Sequence, residues 1–191
     1  MSKIYIEGKI FEKENFSENE LPKGDYEHCT FINCIFSEAD ISNINFSECE
    51  FNGCNMSMAK IKNTAFRDIQ FKACKLLGLH FENTNPFLFS VGFENCLLNL
   101  SSFYKLRLKN TKFTNCSIHE VEFTEADLTN ATFKNCDLSG AIFDNTVLEK
   151  VDFRSSYHFS INPELNRIKK AKFSLTTIVG LLHKYNIEID N

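Results

Sequence analysis

Residues 113–153 decide the fold, and they read FTNCSIHEVEFTEADLTNATFKNCDLSGAIFDNTVLEKVDF. Every fifth residue is large and apolar: Phe113, Ile118, Phe123, Leu128, Phe133, Leu138, Phe143, Leu148 and Phe153. Two residues before each of them stands a small or β-branched residue, and the other three positions are mostly polar. A period of five fits neither a helical turn nor the alternation of a strand. The stretch therefore predicts a repeat architecture.

The same rhythm covers most of the chain, with one interruption. It runs from Phe11 to Phe81 and again from Leu88 to Phe153, and the second run is displaced by two inserted residues. The insertion falls within residues 83–87, NTNPF, and Asn and Pro are typical of turns. We therefore expect an N-terminal cap, a first repeat run, a loop, a second repeat run and a C-terminal lid: residues 1–15, 16–81, 82–87, 88–156 and 157–191.

A longer period of 20 residues is superimposed on the period of five. Every fourth central residue is Phe: Phe11, Phe31, Phe51, Phe71, Phe93, Phe113, Phe133 and Phe153. Six cysteines keep the same spacing: Cys34, Cys54, Cys74, Cys96, Cys116 and Cys136. Coincident ladders indicate that four pentapeptides make one turn and that like residues stack. The prediction is an all-β solenoid, a right-handed quadrilateral β-helix of about seven coils with a dry interior.

The C-terminal segment breaks the rhythm. Ser174 is a plausible N-cap, and five apolar residues follow at helical spacing: Leu175, Ile178, Val179, Leu182 and Tyr185. We expect a C-terminal α-helix, because the end of a solenoid must be capped or paired. Two interpretations stay open: a cap folded onto its own rod, or a two-fold contact that makes a homodimer.

Composition and motifs exclude several classes of protein. With 21 basic and 25 acidic residues the net charge is −4, which argues against a basic nucleic-acid-binding protein. No apolar run is long enough to span a bilayer, so we expect a cytoplasmic protein without membrane contact. Neither a phosphate-binding loop motif nor a G-x-S-x-G motif occurs, and the five histidines are scattered. We expect neither an enzyme nor a cofactor.

The eight cysteines occupy the small inward position of the repeat, including Cys29 and Cys49. Their spacings of five and 20 do not match C-x₂-C metal motifs, and no matching pair of histidines occurs. Stacked thiols that point inward in parallel suit packing better than bridging. We therefore expect reduced core residues and no metal site.

Individual quintets show a family resemblance. Residues 126–130, ADLTN, and residues 136–140, CDLSG, resemble the A(D/N)LXX motif of pentapeptide-repeat proteins. Chain size, the mid-rod interruption and the apolar C-terminal segment resemble the topoisomerase-protecting branch, which contains the Qnr quinolone-resistance proteins and the microcin immunity protein. The tail at 161–168 is most similar to the immunity protein. The resemblance implies a homodimer joined at its C-terminal ends, a rod of DNA-like width and charge, and binding to DNA gyrase or topoisomerase IV.

Acidic residues are concentrated near the end of the repeat. Between Ser117 and Asn145 there are six of them against one base, Lys134: Glu120, Glu122, Glu125, Asp127, Asp137 and Asp144. All six fall at outward positions of the repeat. They are expected to form an anionic patch that contacts the DNA-binding saddle of a topoisomerase. The alternative is that they are ordinary solvated residues of a repeat that favours Asp.

The loop is a second candidate contact. If Leu88 points inward, then Phe87 and Phe89 point outward beside Pro86 and form an exposed aromatic site for a partner. They could equally pack under their own loop. On the adjoining side four more apolar residues fall at outward positions: Met58, Leu77, Leu97 and Leu100.

Together these features predict a non-enzymatic, DNA-mimicking protein. It would bind a type II topoisomerase, without direct contact to nucleic acid, and protect it from a quinolone or a peptide toxin. The alternative is a protein–protein interaction scaffold with an unrelated partner.

Overall fold

The computed structural model describes residues 4–188, and its backbone forms parallel ladders whose partners are 20 residues apart. Tyr26 pairs with Phe46, and Phe113 pairs with Phe133. Across the interruption the spacing becomes 22, as in the pairing of Phe71 with Phe93. The chain is therefore an all-β parallel solenoid of about seven coils.

Short strands carry the pairing in two sheets of the described chain. The strands β1 to β11 are Ile4–Glu7, Ile10–Glu12, Gly24–Glu27, Thr30–Ile32, Asn45–Ser47, Glu50–Asn52, Ala65–Arg67, Ile69–Lys72, Val91–Glu94, Lys112–Thr114 and Thr132–Lys134. One sheet has the order β1-β3-β5-β7, and the other has the order β11-β10-β9-β8-β6-β4-β2. Isolated bridges continue the ladders on the remaining sides and through the last coils.

Each coil has four sides, because a buried central residue recurs every five residues and the register closes after 20. We label the sides A to D in chain order. Side A holds the centres Phe11, Phe31, Phe51, Phe71, Phe93, Phe113, Phe133 and Phe153. Side B holds Phe16, Phe36, Met56, Leu76, Leu98, Ile118 and Leu138. Side C holds Leu21, Ile41, Ile61, Phe81, Phe103, Phe123 and Phe143. Side D holds Tyr26, Phe46, Phe66, Leu108, Leu128 and Leu148.

Stacked phenylalanine rings fill the interior. The rings of Phe113 and Phe133 on side A are parallel, with centroids 4.6 Å apart. Across the core, Phe113 meets Phe123 of side C edge-on at 6.1 Å and 87°. Parallel stacking along each side and perpendicular packing between sides both suit the charge distribution of aromatic rings. This repeated environment explains why one aromatic residue dominates the composition.

The small inward position is also a hydrogen-bond donor. Cys54 Sγ lies 3.3 Å from the carbonyl oxygen of Phe31, one coil below. Thr146 and Ser156 donate in the same way to the carbonyl oxygens of Phe123 and Phe133. Thiol and hydroxyl thus serve one role, which is to satisfy a backbone carbonyl inside the core.

All eight cysteines are buried and free, as the spacing predicted. Burial raises the pKa of Cys34 to about 11 and that of Cys49 to about 12. Both groups are therefore neutral thiols at physiological pH, which suits packing residues.

Most corners of the coils are turned through left-handed residues. With exceptions such as Asn83 and Ser155, the residue two positions after a centre has a positive φ, and Asn occupies many of these positions, for example Asn115 at 52° and Asn130 at 60°. Asn tolerates this conformation better than most residues with a side chain. The preference for Asn two residues after each large apolar residue is thus a requirement of the backbone.

The interruption lies slightly later than the sequence predicted. Ala65 still pairs with Asn85 at a spacing of 20, whereas Ile69 pairs with Val91 at 22. The two extra residues are therefore accommodated between Asn85 and Val91, after a 3₁₀ helix at Phe81–Asn83.

The expectation that Leu88 points inward is wrong, because its side chain is 65 % exposed and its φ is +57°.

The expected C-terminal α-helix is also absent. Residues 174–186 contain two 3₁₀ helices, Ile178–Leu181 and His183–Tyr185. Gly180 is buried, and a Cβ there would collide with the carbonyl and ring of Phe159, so the segment is held against the end of the rod. No helix in the described residues is long and apolar enough to cross a bilayer.

The repeat itself continues beyond Phe153, where the sequence rhythm fades. Phe173 stacks on Phe153 at 5.5 Å, and Val147 bridges to Arg167. The C-terminal segment therefore begins as another partial coil and ends as a cap on its own rod. Leu181 contributes to this cap by packing against the core.

Replacing Phe113 by Ala should lower the free energy of unfolding by about 3–5 kcal/mol, because it leaves a cavity in a stacked core. The measurement is urea denaturation followed by circular dichroism. Phe87→Ala is the control, since that ring is 65 % exposed, and it should change stability by less than about 0.5 kcal/mol. Equal losses in the two variants would contradict the stacked core.

Candidate interaction surfaces

Four of the six predicted acidic residues lie along side C and its two edges. Glu122 is in the bridge ladder of side C between Ser102 and Ile142, and Asp144 follows the centre Phe143. Glu120 and Glu125 stand at the corners before and after the same side, with φ values of 53° and 58°. Their positions in adjacent coils bring four carboxylates to one side of the C-terminal half of the rod.

These carboxylates differ in their partners. Glu122 accepts a hydrogen bond from Ser102 at 3.0 Å, and Glu125 lies 3.5 Å from Lys105 Nζ. Neither Glu120 nor Asp144 forms an ion pair within the described chain. Side C therefore keeps a net negative charge in this region.

The other two predicted acids lie on different sides and have close partners there. Asp127, on side D, is 3.2 Å from Lys109 Nζ. Asp137, on side B, lies between two imidazoles, 3.0 Å from His119 Nε2 and 3.0 Å from His158 Nδ1. The acidic residues thus do not form one patch, because the chain turns a corner every five residues.

Asp137 has the most perturbed carboxyl of the six. Burial opposes ionisation, but the Ser139 hydroxyl and the imidazoles of His119 and His158 outweigh it and lower the pKa to about 2. The Ser139 hydroxyl donates to Asp137 Oδ1 at 2.7 Å. This cluster joins three consecutive coils of side B, and sequence reasoning missed it because its members are about 20 residues apart.

The loop presents a different pair of apolar side chains from the predicted one. Phe87 and Leu88 are each 65 % exposed, and Pro86 is also exposed. Phe89 is half-buried and packs edge-on against Phe81 with centroids 6.3 Å apart. The exposed tip of the loop is therefore Phe87 and Leu88.

An apolar strip runs along side B and its corner with side C. Met58 and Leu100 are about 60 % exposed, Leu97 is 40 % exposed and Leu77 is half-buried. The sequence placed all four outward, and the structure confirms this. Met58 covers Gly78, so the strip is continuous over three coils.

The C-terminal cap also leaves apolar groups exposed. Leu175 is 92 % exposed, Ile178 is 42 % exposed and Tyr185 is 50 % exposed. Val179 and Leu182 are half-buried. Of the five residues predicted for dimerisation, three therefore remain open to a partner.

One group of possible metal ligands lies outside the predicted sites. Among the described residues, Glu27, His28 and Glu48 bring one ligand atom each within 4.8 Å of one another. The sequence search considered Cys and His pairs only, so it missed a cluster formed between adjacent coils of side D.

Comparisons with known proteins support the fold. A family model described as a pentapeptide repeat region matches residues 25–85 and 87–180. No curated protein matches the chain. Among solved structures, QnrB1, described as a plasmid-mediated fluoroquinolone resistance protein, is 22 % identical with a TM-score of 0.47; the match covers 98 % of this chain and 100 % of that chain.

A second solved structure shares the fold. HetL from Nostoc sp. strain PCC 7120, a pentapeptide repeat protein involved in heterocyst differentiation regulation, is 13 % identical with a TM-score of 0.51. That match covers 90 % of this chain and 87 % of HetL. At these identities the likeness extends to the fold alone.

The lowered pKa of Asp137 predicts a pH-dependent stability. The folded pKa of about 2 lies below the usual 3.8, so the stabilisation is complete above pH 4 and is lost as the pH falls toward 2. Asp137→Asn should therefore cost at most about 2 kcal/mol at pH 6 and nearly nothing at pH 2. Urea denaturation at several pH values measures this difference.

Asp144→Asn is the matched control for this experiment, because that carboxyl is exposed on side C. Its effect should be small and should not change with pH. A pH-independent cost for Asp137→Asn would show that packing, and not the ionised carboxylate, matters at that position.

Proposed function

This chain belongs to the pentapeptide repeat family, and from that premise we propose that it is a non-enzymatic protein that binds a type II topoisomerase, DNA gyrase or topoisomerase IV. It would protect the enzyme from a quinolone or a peptide toxin. The observation that carries the proposal is the set of four carboxylates on side C, from Glu120 to Asp144.

A stacked solenoid can imitate the charge spacing of a nucleic acid. Successive coils are about 4.8 Å apart, so acids in neighbouring coils repeat along the rod at that interval. Phosphates of one DNA strand repeat at about 3.4 Å along the helix axis. Glu122 and Asp144 lie on side C in successive coils, displaced from each other by two residues, and a positively charged groove would meet them there.

The mechanism follows from competition for one surface. The DNA-binding saddle of a topoisomerase is complementary to polyanions, so an acidic rod would occupy part of it or dock beside bound DNA. Docking would release the drug or toxin from the cleavage complex. Asp127 and Asp137 contribute less in this proposal, because they lie on other sides of the rod, where Lys109 and two imidazoles are hydrogen-bonding or ion-pair partners.

A homodimer would double the acidic surface. Leu175, Ile178 and Tyr185 are exposed at the C-terminal cap, where a second copy could cover them. A two-fold axis through this cap would make the contact self-complementary and bring two acidic sides into one extended surface. Val179 and Leu182 would support the contact from half-buried positions.

One observation favours a second function. The apolar strip at Met58, Leu77, Leu97 and Leu100 covers three coils and ends beside the acids of side C, with Leu100 one coil before Glu120 at the same corner. Such a strip is typical of a protein–protein contact. The chain would then be an interaction scaffold with an unrelated partner, and the acids of side C would serve solubility.

The acidic side can be tested by charge reversal. Supercoiling by gyrase is measured in a fluoroquinolone titration with and without the protein, and the same assay is run with topoisomerase IV relaxation. The protein should shift the inhibitory drug concentration upward several-fold. The combined change Glu120→Lys, Glu125→Lys and Asp144→Lys should abolish the shift, because it replaces negative by positive charge on side C.

The matched control reverses three exposed acids of the upstream coils, Glu18→Lys, Glu38→Lys and Asp68→Lys. It changes net charge equally and should retain protection. Loss of protection in both variants would indicate an effect of bulk charge. Absence of any effect by the unaltered protein on either enzyme would favour the scaffold.

The dimer is tested by light scattering coupled to size-exclusion chromatography. Leu175→Asp with Ile178→Asp should convert dimers to monomers, because it places charges in an apolar contact. Leu100→Asp is the control, since that side chain is 62 % exposed in the middle of the rod. A dimer that persists in the double variant would show that the segment only caps its own rod.

A further inference from the structure

The basic residues of the last coils gather on the sides away from the acids. Six exposed lysines lie at the corner between sides D and A or on the two sides that meet there: Lys112, Lys134, Lys150, Lys169, Lys170 and Lys172. Lys150 and Lys170 hold equivalent corner positions in successive coils, with φ values of 60° and 61°. Lys150 N donates to the carbonyl oxygen of Lys169 at 3.0 Å, which fixes the two coils in register.

None of these lysines forms a close ion pair within the described chain, although Lys172 is the ladder neighbour of Asp152 and attracts its carboxylate. The two nearby acids each have an arginine as ion-pair partner: Glu149 is paired with Arg167 at 2.6 Å, and Asp152 is paired with Arg154 at 2.7 Å. The corner therefore has a positive charge that neighbouring residues do not neutralise. Side C, which faces side A across the core, is negative in the same coils.

A shallow groove on side A adds polar groups to this charge. Three basic residues and three hydroxyl-bearing residues line it: Lys112, Lys134, Arg154, Thr114, Thr132 and Ser155. The one acid in the lining, Asp152, is paired with Arg154. Hydroxyls and ammonium groups are typical ligands of phosphate oxygens. The groove is open and shallow, so it suits a chain that passes over the surface better than a small molecule enclosed in a pocket.

We infer that this lysine corner is a docking surface for the phosphate backbone of duplex DNA, read without sequence preference. Lysine is a point charge that contacts phosphates without demanding a fixed geometry. An acidic protein surface would be a poorer match, because protein interfaces are anchored by buried aromatic or arginine side chains. Of the large exposed apolar residues of these coils, Ile142 lies on side C and Tyr157 on side B. Leu165 precedes the side D ladder residue Arg167, and Leu175 belongs to the C-terminal cap.

The net charge of −4 conceals this surface, because the acids and lysines of the last coils lie on different sides. The inference does not rest on the proposed function, since it concerns a different side and free DNA. It would let one rod present carboxylates to a protein while lysines contact DNA that the protein already holds.

The test is fluorescence anisotropy of a labelled 20-base-pair duplex titrated with the full chain, with no topoisomerase present, at several salt concentrations from 50 mM upward. Binding should weaken steeply with salt, with a log–log slope of about −3 to −5 for three to six phosphate contacts. Lys169→Gln, Lys170→Gln and Lys172→Gln together should reduce affinity at least about fivefold and make the slope less negative by about 2–3.

The matched control is Lys60→Gln, Lys62→Gln and Lys75→Gln, three exposed lysines of the upstream coils. It removes the same charge and should bind within about twofold of the unaltered protein. Equal losses in the two variants, or no binding at 50 mM salt, would overturn the inference. A polyglutamate of equal charge that competes as well as unlabelled duplex would also overturn it, in favour of an acidic protein partner. Circular dichroism confirms that each variant is folded.

Discussion

The structure depends on one constraint: each coil must stack on the next at a register of 20 residues. Backbone hydrogen bonds join each coil to the next in this register, so equivalent side chains lie directly above one another. Inward positions therefore need flat or slender apolar groups, as in the parallel rings of Phe113 and Phe133. The register also explains how the insertion is tolerated. The two extra residues between Asn85 and Val91 form a bulge at the surface, and the ladders resume after it.

The sequence predicts the interior well because the interior repeats. Position, size and polarity recur with a fixed period, so each inward residue is predicted by its equivalents about 20 residues away. The C-terminal segment was wrongly predicted because helical spacing over one short stretch is a local signal, whereas its conformation is set by contact with the end of the rod. Gly180 lies directly against Phe159, and the chain follows that surface in 3₁₀ turns. Leu88 was misplaced for a related reason: periodicity cannot show where an insertion is accommodated.

Surface charge was predicted less well, because it was read along the chain. Residues five positions apart lie on adjacent sides of one coil, whereas residues about 20 positions apart lie next to each other on the same side of neighbouring coils. Lys109 comes from a stretch without acids, yet it neutralises Asp127 in the next coil. The cluster of His119, Asp137 and His158 arises in the same way. In a solenoid, charge patterns have to be compared at the coil spacing and one side at a time.

Comparing the sides separately changes what the small net charge means. A rod with few excess charges could be electrostatically neutral everywhere, but here the last coils are negative on side C and positive at the corner of sides D and A. The interior between them is packed with rings and contains few polar groups, so water screens these charges only from outside. Such a rod carries a dipole across its width, and this dipole fixes which side turns toward a charged partner. A uniformly acidic rod could meet a charged partner at any rotation about its long axis. Here the placement of residues such as Asp144 and Lys170 determines that rotation.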